Sequence, residues 1–516
     1  MLVALSLVTR LPFLCRGGMG EADSVVMAAG MAQWMMSDVG FGDIFLYGRQ
    51  LSPGIYFVFR FLYPILFHDA SHVIAFLNWI NVLSSALIVI PLFLIMRRLF
   101  NRSVTTACVI LILFTPLVWE LGTFFHPIMP AVLLFLLAFL AWDRIAWSPR
   151  GAAFYALTFV LVAAATIMRV EVLLAVPALL VAGLIAPRKK RNLALLVSLL
   201  FLAVAAYALV LKGISKAASI SFHGMPQFMD TYSRGYISSI SSRAAARSVI
   251  WASLGLGIAT VFLAIGGTAA SLFGAAAKRE ARAGAHHREF IAAIVWIIPV
   301  LVLWLPQPSP IVRHYFLAAL AACWLVGETI LRRVPRRRAI TIAAIAVACN
   351  LLVPETLYRV YNASHPGSPK EPSGSFFYSH QRTEQRIARF NGMQAGFLEA
   401  LERGAGAAGS QRAPGIFIAT NWESYGYCYY AMAQAGGIRR LPGLIPDPGI
   451  PLRRYALEGY EVRIASLTRF IDNPGLATLV ALIRDAEREG FLVILPEEIT
   501  RSEVAGELGT STFTIY

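Results

Sequence analysis

The stretch VIAFLNWINVLSSALIVIPLFLIM, residues 73–96, contains no charged side chain, and Arg97, Arg98 and Arg102 follow it. A helix needs about 20 apolar residues to cross the hydrocarbon core of a bilayer, so this run is long enough to span it. Its apolar residues are continuous rather than alternating, which excludes a strand of a membrane barrel. Similar runs cover roughly residues 2–15, 103–119, 127–146, 152–168, 172–186, 192–211, 249–275, 289–305, 314–331 and 339–354. Together they predict about 11 spans by the same length criterion.

Composition agrees with this reading. The chain of 516 residues is 57% hydrophobic and 14% charged, with a mean hydropathy of +0.64. Soluble chains carry about 25% charge, so a cytosolic enzyme, a disordered chain and a secreted disulfide scaffold are set aside. Lys and Arg number 45 against 29 Asp and Glu, a net charge of +16. Most of that excess sits in short loops between apolar runs, where it signals topology and not a nucleic-acid partner. Cys15, Cys108, Cys323, Cys349 and Cys428 form no CxxC pair and no zinc spacing.

The basic loops set the orientation. Arg97, Arg98 and Arg102 follow the second run, and Arg188, Lys189, Lys190 and Arg191 follow the sixth. Lys278, Arg279, Arg282 and Arg288 follow the eighth, and Arg332, Arg333, Arg336, Arg337 and Arg338 follow the tenth. All fall on one side if the N-terminus is cytoplasmic, which puts the C-terminal segment outside the cytoplasm of a multi-pass protein of a bacterial inner or plasma membrane. The first run carries Arg10 and is followed by no small-residue cleavage site, so it reads as a retained span and not as a signal peptide.

Two outer loops are long. Residues 16–71 hold Glu21, Asp23, Asp38 and Asp43, together with two interrupted apolar stretches, Val25–Met36 and Ile55–Phe67, that read as helices in the membrane interface. Residues 212–248 are polar and Ser-rich, with Met225, Phe228 and Tyr236 interspersed, and are long enough to cover a site. The transmembrane part is thus residues 1–355. A linker rich in Pro, Gly and Ser lies within 356–381, and residues 382–516 read as a small α/β domain on the outer face. Its strands are expected at Ile416–Thr420, Val462–Ser466 and Phe491–Leu495, and its helices at Thr383–Glu402 and Leu476–Glu489. No internal repeat of the transporter kind is present.

Charged groups recur at the predicted outer boundary. Glu21 and Asp23, two residues apart, can supply a base or hold a divalent cation, although a solvated acidic loop is the plain alternative. Arg169 and Glu171 share a tight outer turn between apolar runs, a functional pattern unless both merely snorkel. Arg313 and His314, beside Tyr315, stand where an outer loop enters the tenth run. A guanidinium there can bind two phosphate oxygens, or simply face lipid headgroups. Trp119, Glu120 and His126 surround the turn between the third and fourth runs, and Arg10 lies near the outer end of the first, within reach of Glu21, Asp23 or Glu120. Independent snorkelling would scatter charges over both faces. Their gathering at one face suits an anionic lipid phosphate and a proton acceptor.

These residues resemble the GT-C membrane glycosyltransferases, in the branch with protein O-mannosyltransferases, the lipid A aminoarabinose transferase and bacterial enzymes that add sugars to lipopolysaccharide core. The likeness rests on Arg10-Leu-Pro, on Ala22-Asp23-Ser24 and the apolar residues after it, and on Ser52-Pro53-Gly54-Ile55-Tyr56. It also rests on Asn81–Phe100 followed by Pro116-Leu-Val-Trp119, on Met168-Arg169-Val170-Glu171 and on Arg313-His314-Tyr315. It covers roughly the first 330 residues. Many relatives carry adjacent Asp-Glu in the first loop, where this chain has Glu21-x-Asp23.

The resemblance implies a sugar donor on a polyprenyl phosphate, its tail in the membrane lipid, and an acceptor on the outer side that is a glycolipid, a glycan or a protein. It implies Asp23 as base with Glu21 beside it, and Arg313, His314 and Arg169 on the donor phosphate. Arg10, Glu120, His126, Glu171 and Tyr315 are supporting residues, and inversion occurs at the anomeric carbon. No nucleic acid and no cofactor beyond a divalent cation enters. The rival readings are a transporter or flippase of a phosphate-bearing lipid, and a non-catalytic scaffold.

Overall fold

The computed structural model describes residues 1–14, 27–28, 31, 52–68, 72–147, 152–185, 189–218, 242–273, 297–298, 316–364, 381–385, 387–388, 391–392, 395–399, 402, 415–421, 438–440, 452–457, 460–467, 473–495 and 514–515. The helices in chain order are α1 (Leu2–Val8), α2 (Leu11–Leu14), α3 (Gly54–Leu66), α4 (Val73–Leu99), α5 (Arg102–Leu113), α6 (Pro116–Thr123), α7 (Ile128–Trp147) and α8 (Ala152–Met168). A 3-10 turn, Val170–Ala175, leads into α9 (Val176–Ile185), followed by α10 (Lys189–Ala218), α11 (Ser242–Leu256) and α12 (Ile258–Phe273). Helix α13 (Phe316–Val326) continues as a π-helix, Gly327–Leu331, before α14 (Arg336–Ser364).

The chain is a multi-pass integral membrane protein. Among the described residues, four helices are long and apolar enough to span a bilayer, Val73–Leu99, Ile128–Ala146, Lys190–Gly213 and Arg336–Ser364. Helices α5 and α6 make a fifth if the pair, bent by 64°, is one span. Several of the apolar runs are therefore not single helices, and the breaks have local causes. Pro116 has no N–H to donate and starts α6 at its first turn, after an extended Thr115. Arg169 is extended between α8 and the 3-10 turn. Gly257 has φ +84° and separates α11 from α12. A Cβ there would also lie about on top of Asn350, 2.4 Å from its Cγ.

Lipid offers no hydrophobic drive between helices, so packing and interhelical polar bonds hold the bundle. The α7–α8 pair packs most extensively, and α4 packs on α7. Trp142, fully buried, donates to the carbonyl of Leu179 at 2.9 Å. Asn350 of α14 donates to Thr260 Oγ1 at 2.8 Å and accepts from the Ala259 amide at 3.1 Å, so it caps the break at Gly257. Leu83, Leu87, Ile90 and Leu94 recur at helical spacing on one exposed stripe of α4, the face a span turns to lipid.

The two ends of the bundle differ in chemistry. Arg98 pairs with Asp143, Arg191 donates to the carbonyl of Ile145 at 2.5 Å, and Gly327 lies against Phe100. The basic stretches at 97–102, 189–191 and 332–338 therefore share one end. At the other end, Asn78 accepts from the Phe125 amide at 2.9 Å, and Asn81 donates to the carbonyls of Leu121 and Phe124. Those carbonyls belong to the end of α6, where a helix leaves its last carbonyls without intrahelical partners.

Beyond residue 415 the described residues form a six-stranded sheet: β1 (Gly415–Asn421), β2 (Ile438–Arg440), β3 (Leu452–Leu457), β4 (Tyr460–Leu467), β5 (Leu492–Leu495) and β6 (Thr514–Ile515), in the order β2-β3-β4-β1-β5-β6. Strand β1 runs parallel to β4 and β5, and β5 to β6, while β2, β3 and β4 are antiparallel. Helix α15 (Asn473–Arg488) connects β4 to β5 and packs over β1. It buries Leu479, Val480, Ile483 and Ala486, one stripe at helical spacing, against Phe417, Ala465, Val493 and Leu495. Strands β2, β3 and β6 were not expected from the sequence. The first two are rich in arginine, β2 forming one edge of the sheet, and the third, two residues long, forms the other.

Candidate functional site

The polar end of the bundle is built around α6. Every residue of this short helix is buried, including the carboxylate of Glu120. The sequence suggested a surface turn there, but Thr115-Pro116 starts a helix instead, so Trp119 and Glu120 lie inside the protein. Glu120 pairs with Arg382, whose Nη1 is 3.4 Å from each carboxylate oxygen, and both side chains are over nine-tenths buried. The ring of Trp119 meets Phe13 edge-to-face at 5.2 Å, and both join Phe124 and Ile387 in an apolar cluster beside the pair.

Arg10 lies against the other side of the same helix and is fully buried. Its Nη1 donates to the carbonyl and hydroxyl of Ser6 at 3.0 and 2.9 Å, and Nη2 donates to the carbonyl of Leu113 at 3.2 Å. The break between α1 and α2, at Thr9 and Arg10, is what turns this side chain inward. Gly122 makes the approach fit. A Cβ at that position would fall 2.8 Å from Arg10 Nε and 2.5 Å from Ser85 Oγ. His126 is buried in the loop after α6, and its Nδ1 accepts from the Ile128 amide at 3.2 Å. That bond caps α7.

A second group sits at the end of α8. Arg169 Nη2 pairs with Glu171 Oε1 at 2.6 Å, and Nη1 donates to Ser52 Oγ at 3.3 Å. Arg169 Nε is buried with no partner among the described residues. The start of α3 is pressed against this turn, because Gly54 has no side chain. A Cβ there would lie 3.0 Å from Met168 N and from Ile167 Cγ2. A helix is observed where Ile55–Phe67 was expected to form one, as α3, with Phe57, Phe61, Leu62, Ile65 and Leu66 exposed on one side. It is fixed to the bundle at the arginine expected to meet the donor.

Of the residues singled out in the sequence, the structure joins Arg10 and Glu120 through α6, and Arg169 and Glu171 through their ion pair. Glu21, Asp23, Arg313, His314 and Tyr315 lie outside the described residues. Among the described residues no three of His, Cys, Asp and Glu gather as cation ligands. Ser52 and Arg382 were missed. Ser52 was legible only as part of a motif, and Arg382 is 262 residues from its partner, with no local pattern to mark it.

Residues 52–212 match the family model of dolichyl-phosphate-mannose-protein mannosyltransferases. The matched segment opens at the serine that Arg169 bonds and closes within α10. Among solved structures, the chain is similar to the crystal structure of ArnT from Cupriavidus metallidurans bound to undecaprenyl phosphate, at 16% identity over 84% of this chain and 74% of that one, with a TM-score of 0.49. The chain matches no curated protein sequence. The family match supports the GT-C resemblance of the motifs.

Proposed function

We propose that this membrane protein is a glycosyltransferase that moves a sugar from a polyprenyl-phosphate donor to an acceptor hydroxyl outside the cytoplasm. The observation that carries the reading is the family match over residues 52–212, which takes in the interfacial helix, the spans from α4 to α8 and the Ser52–Arg169–Glu171 group. A lipid-linked donor suits a chain that buries Arg10, Glu120, Arg169 and Arg382 at the end of an apolar bundle opposite its basic loops. The donor tail stays in the bilayer while its phosphate meets fixed cations at the boundary.

In this reading about 11 spans place the N-terminus in the cytoplasm. The region from 382 onward is an α/β domain on the outer face. Asp23 takes the proton of the acceptor hydroxyl as its oxygen attacks the anomeric carbon. The bond from that carbon to the phosphate oxygen breaks, and its electron pair leaves with the polyprenyl phosphate. One displacement inverts the centre. Arg313 and His314, with Arg169, hold the phosphate as charge builds on it. A preorganised donor of this kind is typically worth about 3–4 kcal/mol. Glu21 assists Asp23 or holds a divalent cation. Arg10, Glu120, Glu171, His126 and Tyr315 support the site. The sugar and the acceptor, whether glycolipid, glycan or protein, are found by mass analysis of cell-envelope glycoconjugates with and without the gene. Transfer is tested with purified protein and a radiolabelled polyprenyl-phosphate sugar. Donor binding or translocation without release of polyprenyl phosphate would favour a flippase.

A further inference from the structure

Residues 381–385 and Ile387 are docked on the polar end of the bundle, and their contacts point to one carboxylate. Arg382 and Thr383 are buried, and Arg382 pairs with Glu120 of α6. Ile387 packs with Phe13, Trp119 and Phe124 on the same patch. From the last span, Tyr358 donates to Gln385 Oε1 at 2.6 Å, and Glu355 Oε2 accepts from the Gln381 amide at 3.4 Å. Three parts of the chain far apart in sequence therefore meet at Glu120: the first apolar run, α6, and the segment that leads to the sheet.

The geometry of the pair decides what it is for. A buried ion pair gains little net stability, because desolvation offsets the attraction. An Arg–carboxylate fork made for strength has two parallel bonds of about 2.7–2.9 Å. Here a single nitrogen stands 3.4 Å from both oxygens, so the cation is shared between them and the carboxylate is turned toward the segment beyond the last span. Arg10 reaches the other side of the same helix, beside Gly122. Glu120 is thus held by Arg382, on a helix whose other side packs against Arg10, at the end of the bundle where the reaction is placed.

We propose that Arg382 is a positioning residue of the transfer site, which fixes the Glu120 carboxylate and seats the segment leading to the sheet. This rests on the transferase reading above. It assigns the C-terminal region a part in the reaction: a side chain from beyond the last span completes the site in the bundle.

The test uses the full chain in lipid nanodiscs, with transfer kinetics from a polyprenyl-phosphate sugar for wild type, Arg382→Lys and Arg382→Gln. Arg382→Gln should lower kcat about 10–100-fold, the scale of a small misplacement of a catalytic group, with the donor KM nearly unchanged. Arg382→Lys should recover part of that loss. Wild-type kcat in Arg382→Gln would overturn the proposal, and so would a loss confined to KM. The swapped pair Glu120→Arg with Arg382→Glu guards against misfolding. It should restore melting temperature and protease resistance of residues 381–387, yet remain slow, because the carboxylate has moved. Full transfer by the swapped pair would reduce the ion pair to a structural tie and refute the positioning role. A wild-type protein that transfers no sugar would instead overturn the transferase reading and the positioning role with it. Protease resistance lost in Arg382→Gln and regained in the swap would then leave only the seating established.

Discussion

Gly122→Ala tests how tightly the polar end of the bundle is assembled. Two effects compete. Within α6 an alanine is favoured over glycine by about 0.8–1 kcal/mol of helix propensity. Against this, the new Cβ would stand 2.8 Å from Arg10 Nε and 2.5 Å from Ser85 Oγ, both too close for carbon. Overpacking a full interior typically costs about 1–3 kcal/mol. Arg10 cannot swing away without loosening its bonds to Ser6 and Leu113, and bonds from a charged group are worth about 1.5–3 kcal/mol. The overpacking alone would leave about 0–2 kcal/mol after the helix gain, and partial loss of the Arg10 bonds raises the expected destabilisation to about 1–3 kcal/mol. Ser85→Ala removes the nearer obstacle, so the double variant should recover part of the loss. The assay is thermal unfolding of purified protein in one detergent, read by intrinsic fluorescence, for wild type, both single variants and the double. A Gly122→Ala protein as stable as wild type, or no recovery in the double variant, would refute the argument that Arg10 and Ser85 crowd this glycine.

Three further outcomes are expected. Asp23→Asn should abolish transfer and leave expression and membrane insertion intact, because the amide keeps the shape of the carboxylate but accepts no proton at neutral pH; turnover at the wild-type rate would remove Asp23 from the role of base. Arg313→Lys should weaken donor dependence and slow transfer, since an ammonium offers a point charge in place of a planar fork; equal kinetics in the same lipid would shift the phosphate role to Arg169. Cys428, if its thiol is exposed, should react with a membrane-impermeant thiol reagent only from the outer side, and labelling from the cytoplasmic side alone would mean an even number of spans.

The bundle was legible because a span announces itself in consecutive residues. Residues 73–96 carry no charge and are mostly apolar, and the observed helix is Val73–Leu99. What a length criterion does not register is a break inside an apolar run. Thr115-Pro116 and Gly257 each interrupt such a run, and the backbone at each follows from the chemistry of the proline and the glycine. Strands β1, β4 and β5 and helix α15 stood out for the same reason as the spans, through local hydrophobic pattern. Strand β3 did not, because Arg453 and Arg454 dilute its apolar alternation. At the site, Arg10, Glu120, Arg169 and Glu171 were visible as charges beside apolar runs. Their partners were not. The Arg382–Glu120 and Ser52–Arg169 contacts are made only when the chain folds back on itself, over 262 and 117 residues.

Release of polyprenyl phosphate coupled one-to-one to sugar transfer tests the central claim most directly. The purified full chain in nanodiscs would be given a polyprenyl-phosphate sugar and an acceptor extract from the cell envelope. Both products would be followed by mass spectrometry, with Asp23→Asn as the control. The account predicts equal amounts of free polyprenyl phosphate and glycosylated acceptor from the wild type, inversion at the anomeric carbon, and neither product from the control. Donor that is bound or moved across the bilayer with its sugar still attached, in wild type and control alike, would contradict it.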